Sequence, residues 1–221
     1  TGPLTGVPYV QTSYNGWVSV TKSPLTGGYL RNRCMSKLGY MLKRCGYDAV
    51  IFEGAAEKPT YVYITEDGVT FGDATTIWGA TTDLAQHILR EHLIMEPRAA
   101  TAAIGPAGER LVRVASVQCE TRQLGRGGIG AVLGAKKLKA VAVVGSAEIE
   151  PERSEFWEYA LSLHRELRES AFVKVLRTYG TAIYVESGVD LGDVPAKYFT
   201  RSSFPAQEVS GAVLAERFSV R

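Results

Sequence analysis

Cysteine and histidine are scarce in this sequence, which has three residues of each type. Cys34, Cys45 and Cys119 are odd in number and widely spaced, so they predict neither a disulfide framework nor a self-contained CxxC metal site. A reducing cytoplasm is therefore the expected location. His87 and His92 lie about 140° apart around one predicted helix, a poor arrangement for sharing a metal ion. No metal-ligating residue is predicted from these two residue types.

Long hydrophobic runs are also lacking. No apolar stretch approaches the roughly 18 residues that would indicate a transmembrane helix, and no signal peptide is recognisable. The net charge of +2 is too small to attract nucleic acid or an anionic membrane, so neither is expected as a partner. The chain starts with TGPLTG, which resembles the middle of a turn, and it stops within the helical pattern AERFSVR. We therefore expect a piece of a longer protein.

Short apolar segments alternate with Gly/Pro turns over the first two thirds of the chain, a pattern typical of β-strands. The predicted strands are residues 48–54, 60–65, 99–105, 111–118 and 138–145. Apolar residues at helical spacing predict two helices within the same region, at residues 36–45 and 82–93.

The pattern changes after Pro151, where apolar residues recur mainly at helical spacing. Helices are predicted at residues 154–170, 171–178 and 207–217. This switch predicts a domain boundary between residues 146 and 154. We expect a β-rich domain over residues 1–148 and the start of a mostly helical domain over residues 149–221.

A glycine-rich stretch, GRGGIGAVLGAKKLKAVAV, begins at Gly125 and contains the spacing GxGxxG. This spacing is typical of dinucleotide-binding Rossmann folds, in which a strand, a glycine turn and a crossover helix follow one another. Only seven residues separate Gly130 from the apolar run that starts at Leu138, whereas a crossover takes about a dozen or more. An NAD-binding Rossmann oxidoreductase is thus a less favoured alternative.

The same stretch has the residue types of an anion cradle. Gly125, Gly127 and Gly128 lack side chains, so their backbone N–H groups could approach an anion closely. Arg122 and Arg126 could donate forked hydrogen bonds to a phosphate. The glycines would equally suit a tight connection between two strands, with solvated arginines. Residue types alone leave both interpretations open.

The glycine-rich stretch resembles the pterin-contacting segment of the tungsten-containing aldehyde ferredoxin oxidoreductases. Six further segments fall in that family's order and at nearly its spacing, namely GPLTG (2–6), VTKSPLTG (20–27), GYDAVIFEGAAEKPTYVYI (46–64), DATTIWG (73–79), IGPAGERLVRVASV (104–117) and YGTAIYV (179–185). The sequence is therefore identified as a member of this family. The resemblance implies an α+β fold in which two β-sheets form a base for a bis-pterin cofactor, followed by the beginning of a mostly helical domain.

The resemblance also implies a ligand, a tungsten or molybdenum atom chelated by two pterins whose phosphates are joined through magnesium. Five residues fall on the family's first cofactor segment, namely Arg122, Gln123, Leu124, Gly125 and Arg126. The second segment corresponds to Arg33, Cys34, Met35 and Ser36, where the aldehyde enzymes have an Asn followed by small residues and a Gly-Gly pair. Asn32 could reach the magnesium by a one-residue shift.

The implied activity is oxidation of an aldehyde to a carboxylic acid, with electrons passed through a [4Fe-4S] cluster to ferredoxin or an equivalent electron-transfer subunit. The cluster ligands and the catalytic residues of the family lie outside this chain, so no catalytic residue is predicted here and the chain alone is expected to be inactive. A homodimer is possible. The family also contains reductases of aromatic thioesters, which leaves the substrate open. The altered second segment keeps a further alternative, a pterin-free binding or assembly module of the same fold.

Overall fold

The computed structural model describes residues 1–7 and 16–218. The chain divides into two compact units, Thr1–Arg153 and Ser154–Arg221. The first unit contains two β-sheets with helices packed on them, and the second is mainly helical. The predicted α+β class with two sheets is confirmed.

The two sheets differ in size. The smaller sheet is an antiparallel hairpin of β1 (Gly16–Lys22) and β2 (Tyr29–Met35). The larger sheet contains β3 (Thr60–Thr65), β4 (Gly68–Asp73), β5 (Ala100–Ala103), β6 (Val117–Cys119), β7 (Arg122–Leu124) and β8 (Leu138–Val143). Its order is β4-β3-β8-β5-β6-β7, and only the β3–β8 pair is parallel. Strand β7 is therefore one edge of the larger sheet.

Strand β8 lies inside the larger sheet, and every one of its residues is buried. Val141 and Val143 join one hydrophobic cluster, while Ala140 and Ala142 join a second cluster. A strand covered on both faces reads as a continuous apolar run. This is why the segment was predictable, and the strands predicted at 60–65 and 99–105 are confirmed as β3 and β5.

The described residues of the first unit form four α-helices, namely α1 (Lys37–Arg44), α2 (Thr82–Ile88), α3 (Pro106–Glu109) and α4 (Ile129–Ala135). Leu38 and Leu42 place the buried face of α1 in the same cluster as Val141. Helix α2 continues as a π-helical turn, Leu89–Leu93. The predictions at 36–45 and 82–93 are thus confirmed.

Two predicted strands were wrong in whole or in part. Residues 48–54 form no strand, because they join no β-ladder among the described residues, and Ile51 is 83% exposed. Only the end of the predicted strand 111–118 is extended, in β6. Upstream, the Val112 and Ala115 N–H groups donate to the Ala107 and Val112 carbonyls at 2.9 and 2.8 Å. These turns use the backbone groups that a ladder would need.

The Rossmann alternative was also wrong, because the strands that flank the glycine-rich loop are not neighbours. Strands β5 and β6 lie between β7 and β8, and the successive antiparallel pairings make β7 run opposite to β8. A dinucleotide-binding unit requires parallel strands joined by a crossover helix. Helix α4 instead returns the chain from the sheet edge to its interior.

Up to Phe218, where the description of the second unit ends, four α-helices are present, namely α5 (Glu155–Glu169), α6 (Ala171–Tyr179), α7 (Tyr184–Asp190) and α8 (Gly211–Arg217). The first two confirm the predictions at 154–170 and 171–178. The helix predicted at 207–217 begins only at Gly211, because a 3-10 turn, Ala206–Val209, precedes it. Among the described residues, no helix has the length and hydrophobicity needed to cross a membrane.

A buried ion pair joins α3 to the centre of the larger sheet. Lys139 in β8 is fully buried, and its Nζ donates to the Glu109 carboxylate. The same Nζ donates to the carbonyls of Ala80 at 2.9 Å and Ile104 at 2.7 Å. The Glu109 carboxylate also accepts the Gly79 N–H at 2.9 Å. The Lys139 ammonium and both carboxylate oxygens of Glu109 thus have hydrogen-bond partners inside the protein.

We expect Glu109→Ala to lower the free energy of unfolding by about 3–5 kcal/mol, because it leaves the Lys139 ammonium buried without a counter-ion. Lys58→Ala is the matched control, since Lys58 and Asp73 form an exposed pair, whose loss should lower the free energy of unfolding far less. Urea unfolding followed by circular dichroism measures both. Equal losses of unfolding free energy in the two variants would show that the buried pair contributes no more to stability than the exposed one.

A second titratable group lies at the end of α1. The Cys45 thiol donates to the Val144 carbonyl at 3.0 Å. Burial, with a smaller effect of the Glu66 carboxylate, raises the pKa of Cys45 from 9.0 to about 11. The folded protein therefore holds a proton in this range that the unfolded chain releases, and the associated stability is lost as pH rises.

We expect the wild-type chain to lose about 2–3 kcal/mol of stability between pH 9 and pH 11 relative to Cys45→Ala. The comparison with the variant cancels the titration of tyrosines and lysines, which both proteins share. Chemical denaturation at several pH values gives the difference directly. A difference that stays constant over this range would contradict the raised pKa.

Candidate functional site

The glycine-rich loop follows β7 at the edge of the larger sheet and reaches α4 through two residues in the left-handed region. Gly127 has φ 69° and Gly128 has φ 84°. A Cβ at Gly128 would lie 2.0 Å from the Arg113 carbonyl oxygen, and one at Gly127 would lie 2.4 Å from Leu30 Cδ1. Both the backbone conformation and the space therefore require glycine.

The β1–β2 hairpin packs directly against this loop. Asn32 Nδ2 donates to the Arg126 carbonyl at 3.0 Å, and Asn32 Oδ1 accepts the Arg126 N–H at 3.3 Å. Ser23 Oγ donates to the Gly127 carbonyl at 2.8 Å. The smaller sheet thus fixes the position of the loop at the edge of the larger one.

Several donors of the loop are left available. Among the residues that the structure describes, the N–H groups of Gly125, Gly127 and Gly128 have no hydrogen-bond partner. Over the same residues the exposed guanidinium groups of Arg122 and Arg126 make no ion pair or side-chain hydrogen bond. Backbone N–H groups in succession beside free guanidinium groups can bind an anion such as a phosphate.

The other two residues of the first predicted segment have different roles. Leu124 is buried and belongs to the hydrophobic core. The side-chain oxygen of Gln123 accepts a hydrogen bond from Ser116 Oγ at 2.9 Å. These two positions can therefore reach a ligand mainly through their backbone groups, since the N–H and C=O of Gln123 lie on an edge strand.

A cleft of about 470 Å³ lies beside the loop. Its walls come from the hairpin turn and from the loop, and its lining includes Thr26, Tyr29, Val114, Gly125 and Arg126. A second cavity, of about 390 Å³, lies beneath β1 and is mostly apolar. Only the first has the loop's Arg126 on its wall, so it is the candidate ligand space.

The second predicted segment spans the end of β2, whose residues alternate between two faces, and Ser36, which precedes α1. Cys34 is 3% exposed and Ser36 is 4% exposed, and Ser36 Oγ accepts a hydrogen bond from Trp17 Nε1 at 2.9 Å. Arg33 is exposed and Met35 half-buried on the opposite face. The structure therefore does not bring all four side chains to the glycine-rich loop, and Asn32 contacts it instead.

The three cysteines are buried free thiols. Cys34 and Cys119 are core members, and the Cys34 thiol together with burial raises the pKa of Cys119, which keeps it protonated. Glu120 is half-buried, and burial raises its pKa. No group of three His, Cys, Asp or Glu side chains within residues 1–7 and 16–218 is close enough to hold a metal ion.

Sequence reasoning missed the contacts of Asn32 and Ser23. One signal was present, because Asn is disfavoured within strands and Asn32 alternates with Leu30 and Cys34 on the buried face of β2. A buried amide in such a place is usually there to satisfy backbone groups. The proposal that Asn32 reaches a magnesium ion is weakened, since its amide already binds Arg126.

Comparison with known proteins identifies a family profile and several relatives that match this chain. The family profile for the N-terminal domain of aldehyde ferredoxin oxidoreductase matches residues 1–145. The tungsten-containing aldehyde ferredoxin oxidoreductase of Pyrococcus furiosus is 38% identical, over 100% of this chain and 36% of that protein. The enzyme of the same name from Pyrococcus horikoshii is 36% identical, over 100% of this chain and 37% of that protein. The chain thus spans about a third of the length of these relatives.

A solved structure is similar as well. It is the active-site complex BamBC of benzoyl coenzyme A reductase, in complex with 1,5-dienoyl-CoA, with a TM-score of 0.65 and 36% identity. The match covers 69% of this chain and 23% of that one. These findings confirm the resemblance seen in the sequence. The chain belongs to the aldehyde ferredoxin oxidoreductase family, and its residues 1–145 match that family's N-terminal domain.

Proposed function

We propose that this chain is the cofactor-binding base of a tungsten or molybdenum oxidoreductase that uses a bis-pterin cofactor with a bridging magnesium ion. One observation carries the proposal. The glycine-rich loop presents N–H groups of Gly125, Gly127 and Gly128 without partners among the described residues, beside a cleft of about 470 Å³. The relatives at 36–38% identity are named as tungsten-containing enzymes.

The residues of the first segment fit a phosphorylated ligand. Arg122 and Arg126 would bind phosphate oxygens through their guanidinium groups. Gln123, Leu124 and Gly125 would contribute backbone groups at the sheet edge. Space supports this assignment, because a Cβ at Gly125 would meet no atom within 4 Å, so ligand atoms can approach the backbone there.

The second segment fits less well. Burial removes the side chains of Cys34 and Ser36 from any ligand in this arrangement, so we propose that they support β2 from inside. Arg33 and Met35, on the other face, are the side chains of this segment that could contact a cofactor. We retain the segment as a second contact region on that basis.

In the proposed enzyme the bound metal and pterins would supply the two-electron chemistry that converts an aldehyde to a carboxylic acid. The electrons would pass through a [4Fe-4S] cluster, held by residues outside this chain, to ferredoxin or an equivalent subunit. The protein contributes binding and orientation. A homodimer in a reducing cytoplasm is part of the proposal, the latter because Cys34, Cys45 and Cys119 are free thiols.

A pterin-free binding or assembly module is the second candidate function. It is favoured by the second segment, where Met35 and Ser36 replace the family's glycines and the neighbouring amide of Asn32 is already hydrogen-bonded to Arg126. Such a module would keep the fold and the loop without retaining a metal. The metal content of the purified protein separates the two candidates.

We expect the double variant Arg122→Ala/Arg126→Ala, produced in a host that makes the tungsten cofactor, to retain about a hundredfold less tungsten and pterin per mole than wild type. Two charge-assisted contacts to phosphate, each worth about 1.5 kcal/mol or more, account for this loss. Elemental analysis and pterin fluorescence after oxidation measure it. The thermal midpoint should change little, because both side chains are exposed.

The matched control is Arg165→Ala/Arg168→Ala, which removes the same charge from two exposed positions of α5. It should retain the cofactor at the wild-type level. Equal retention by both double variants would show that the loop arginines do not hold the cofactor. Absence of tungsten, molybdenum and pterin from the wild-type protein would instead support the pterin-free module.

A further inference from the structure

Asn32 holds the backbone of Arg126 at two points, the N–H of one peptide group and the carbonyl of the next. The residue is 7% exposed at the centre of β2. Its amide donates to the Arg126 carbonyl at 3.0 Å and accepts the Arg126 N–H at 3.3 Å. A carboxamide has the same donor and acceptor arrangement as a peptide, so Asn32 imitates a strand partner for Arg126.

Ser23 holds the next peptide. Its hydroxyl donates to the Gly127 carbonyl at 2.8 Å. The same oxygen accepts the N–H groups of Leu25 at 3.2 Å and Thr26 at 3.1 Å, which fixes it within the turn between β1 and β2. Ser23 is buried, so water does not compete for these bonds.

These two contacts determine where the loop's N–H groups point. In a planar trans peptide the carbonyl of one residue and the N–H of the next point in opposite directions. The carbonyls of Arg126 and Gly127 are turned towards Asn32 and Ser23. The Gly127 N–H therefore points away from the Asn32 amide and the Gly128 N–H away from the Ser23 hydroxyl, and within the described part of the chain neither has an acceptor.

We infer that Asn32 and Ser23 are positioning residues, which preset the N–H groups of Gly127 and Gly128 to bind an anionic oxygen. The inference rests on the proposed function, in which that oxygen belongs to a cofactor phosphate. Each side chain acts by removing the alternative peptide orientation, in which a carbonyl would face the anion and repel it.

The test measures binding of inorganic pyrophosphate to the purified chain by calorimetry. Asn32→Ala should weaken binding about tenfold, because the Arg126 N–H and the Arg126 carbonyl both lose the hydrogen bonds that hold them. Ser23→Ala should weaken it severalfold, whereas Ser23→Thr keeps the hydroxyl and should restore binding to within about twofold of wild type. Cys45→Ala is the control for general destabilisation, since its thiol bonds the Val144 carbonyl and does not contact the loop.

Hydrogen exchange distinguishes a local change at the loop from a general loss of stability. The Arg126 N–H should exchange at least about tenfold faster in Asn32→Ala, with no comparable change in β8. Unchanged pyrophosphate binding in Asn32→Ala and Ser23→Ala, with binding by wild type, would overturn the positioning role and leave the proposed function standing. No pyrophosphate binding by wild type would overturn the anion site and the inference together.

Discussion

Close contact between backbones around α4 is the constraint on which the candidate site depends. A Cβ at Gly134 would lie 1.9 Å from the Gly108 carbonyl oxygen, and one at Gly130 would lie 2.4 Å from the Ser116 carbonyl oxygen. The Gly130 N–H also donates to the Ala115 carbonyl at 2.9 Å. Helix α4 can reach this depth only because these positions carry no side chain. Its depth in turn places the preceding loop at the edge strand β7, against the hairpin.

The sequence predicted those elements whose pattern comes from burial on a sheet or helix face. Strand β8 was found because all of its residues are buried, and α1 because Leu38 and Leu42 repeat at helical spacing. The hairpin was missed, since a polar residue, Asn32, occupies a buried position in β2 and hides its alternation. The segment 111–116 was misread for the opposite reason. Its apolar residues suggested a strand, but turns use its backbone groups.

The two segments of the candidate site differ in how far the sequence alone could define them. The residues from Arg122 to Arg126 form one continuous motif, so resemblance could identify them without knowledge of their surroundings. The second segment depends on strand geometry, because alternate residues of β2 point to opposite faces. A list of adjacent residues, Arg33 to Ser36, could not show which of them face the loop. The contact of Asn32 joins residues 94 apart in sequence, a relation that no local pattern records.

Two features of the glycine-rich loop favour an anion-binding loop over a simple connection between strands. They are the arginines without partners in the described part of the chain and the direction of the carbonyls. A plain connection requires the positive φ at Gly127 and Gly128 and the tight packing around them. It does not require that peptide carbonyls be turned inward by buried side chains.

Lys139 shows how this fold treats a structural cation, with Glu109 and two carbonyls satisfying its ammonium. Arg122 and Arg126 receive no such partners among the residues described, so the cationic charge left for a ligand lies beside the outward N–H groups. Anion binding explains both features with one cause, whereas a connecting loop leaves the arginines and the inward carbonyls as separate coincidences.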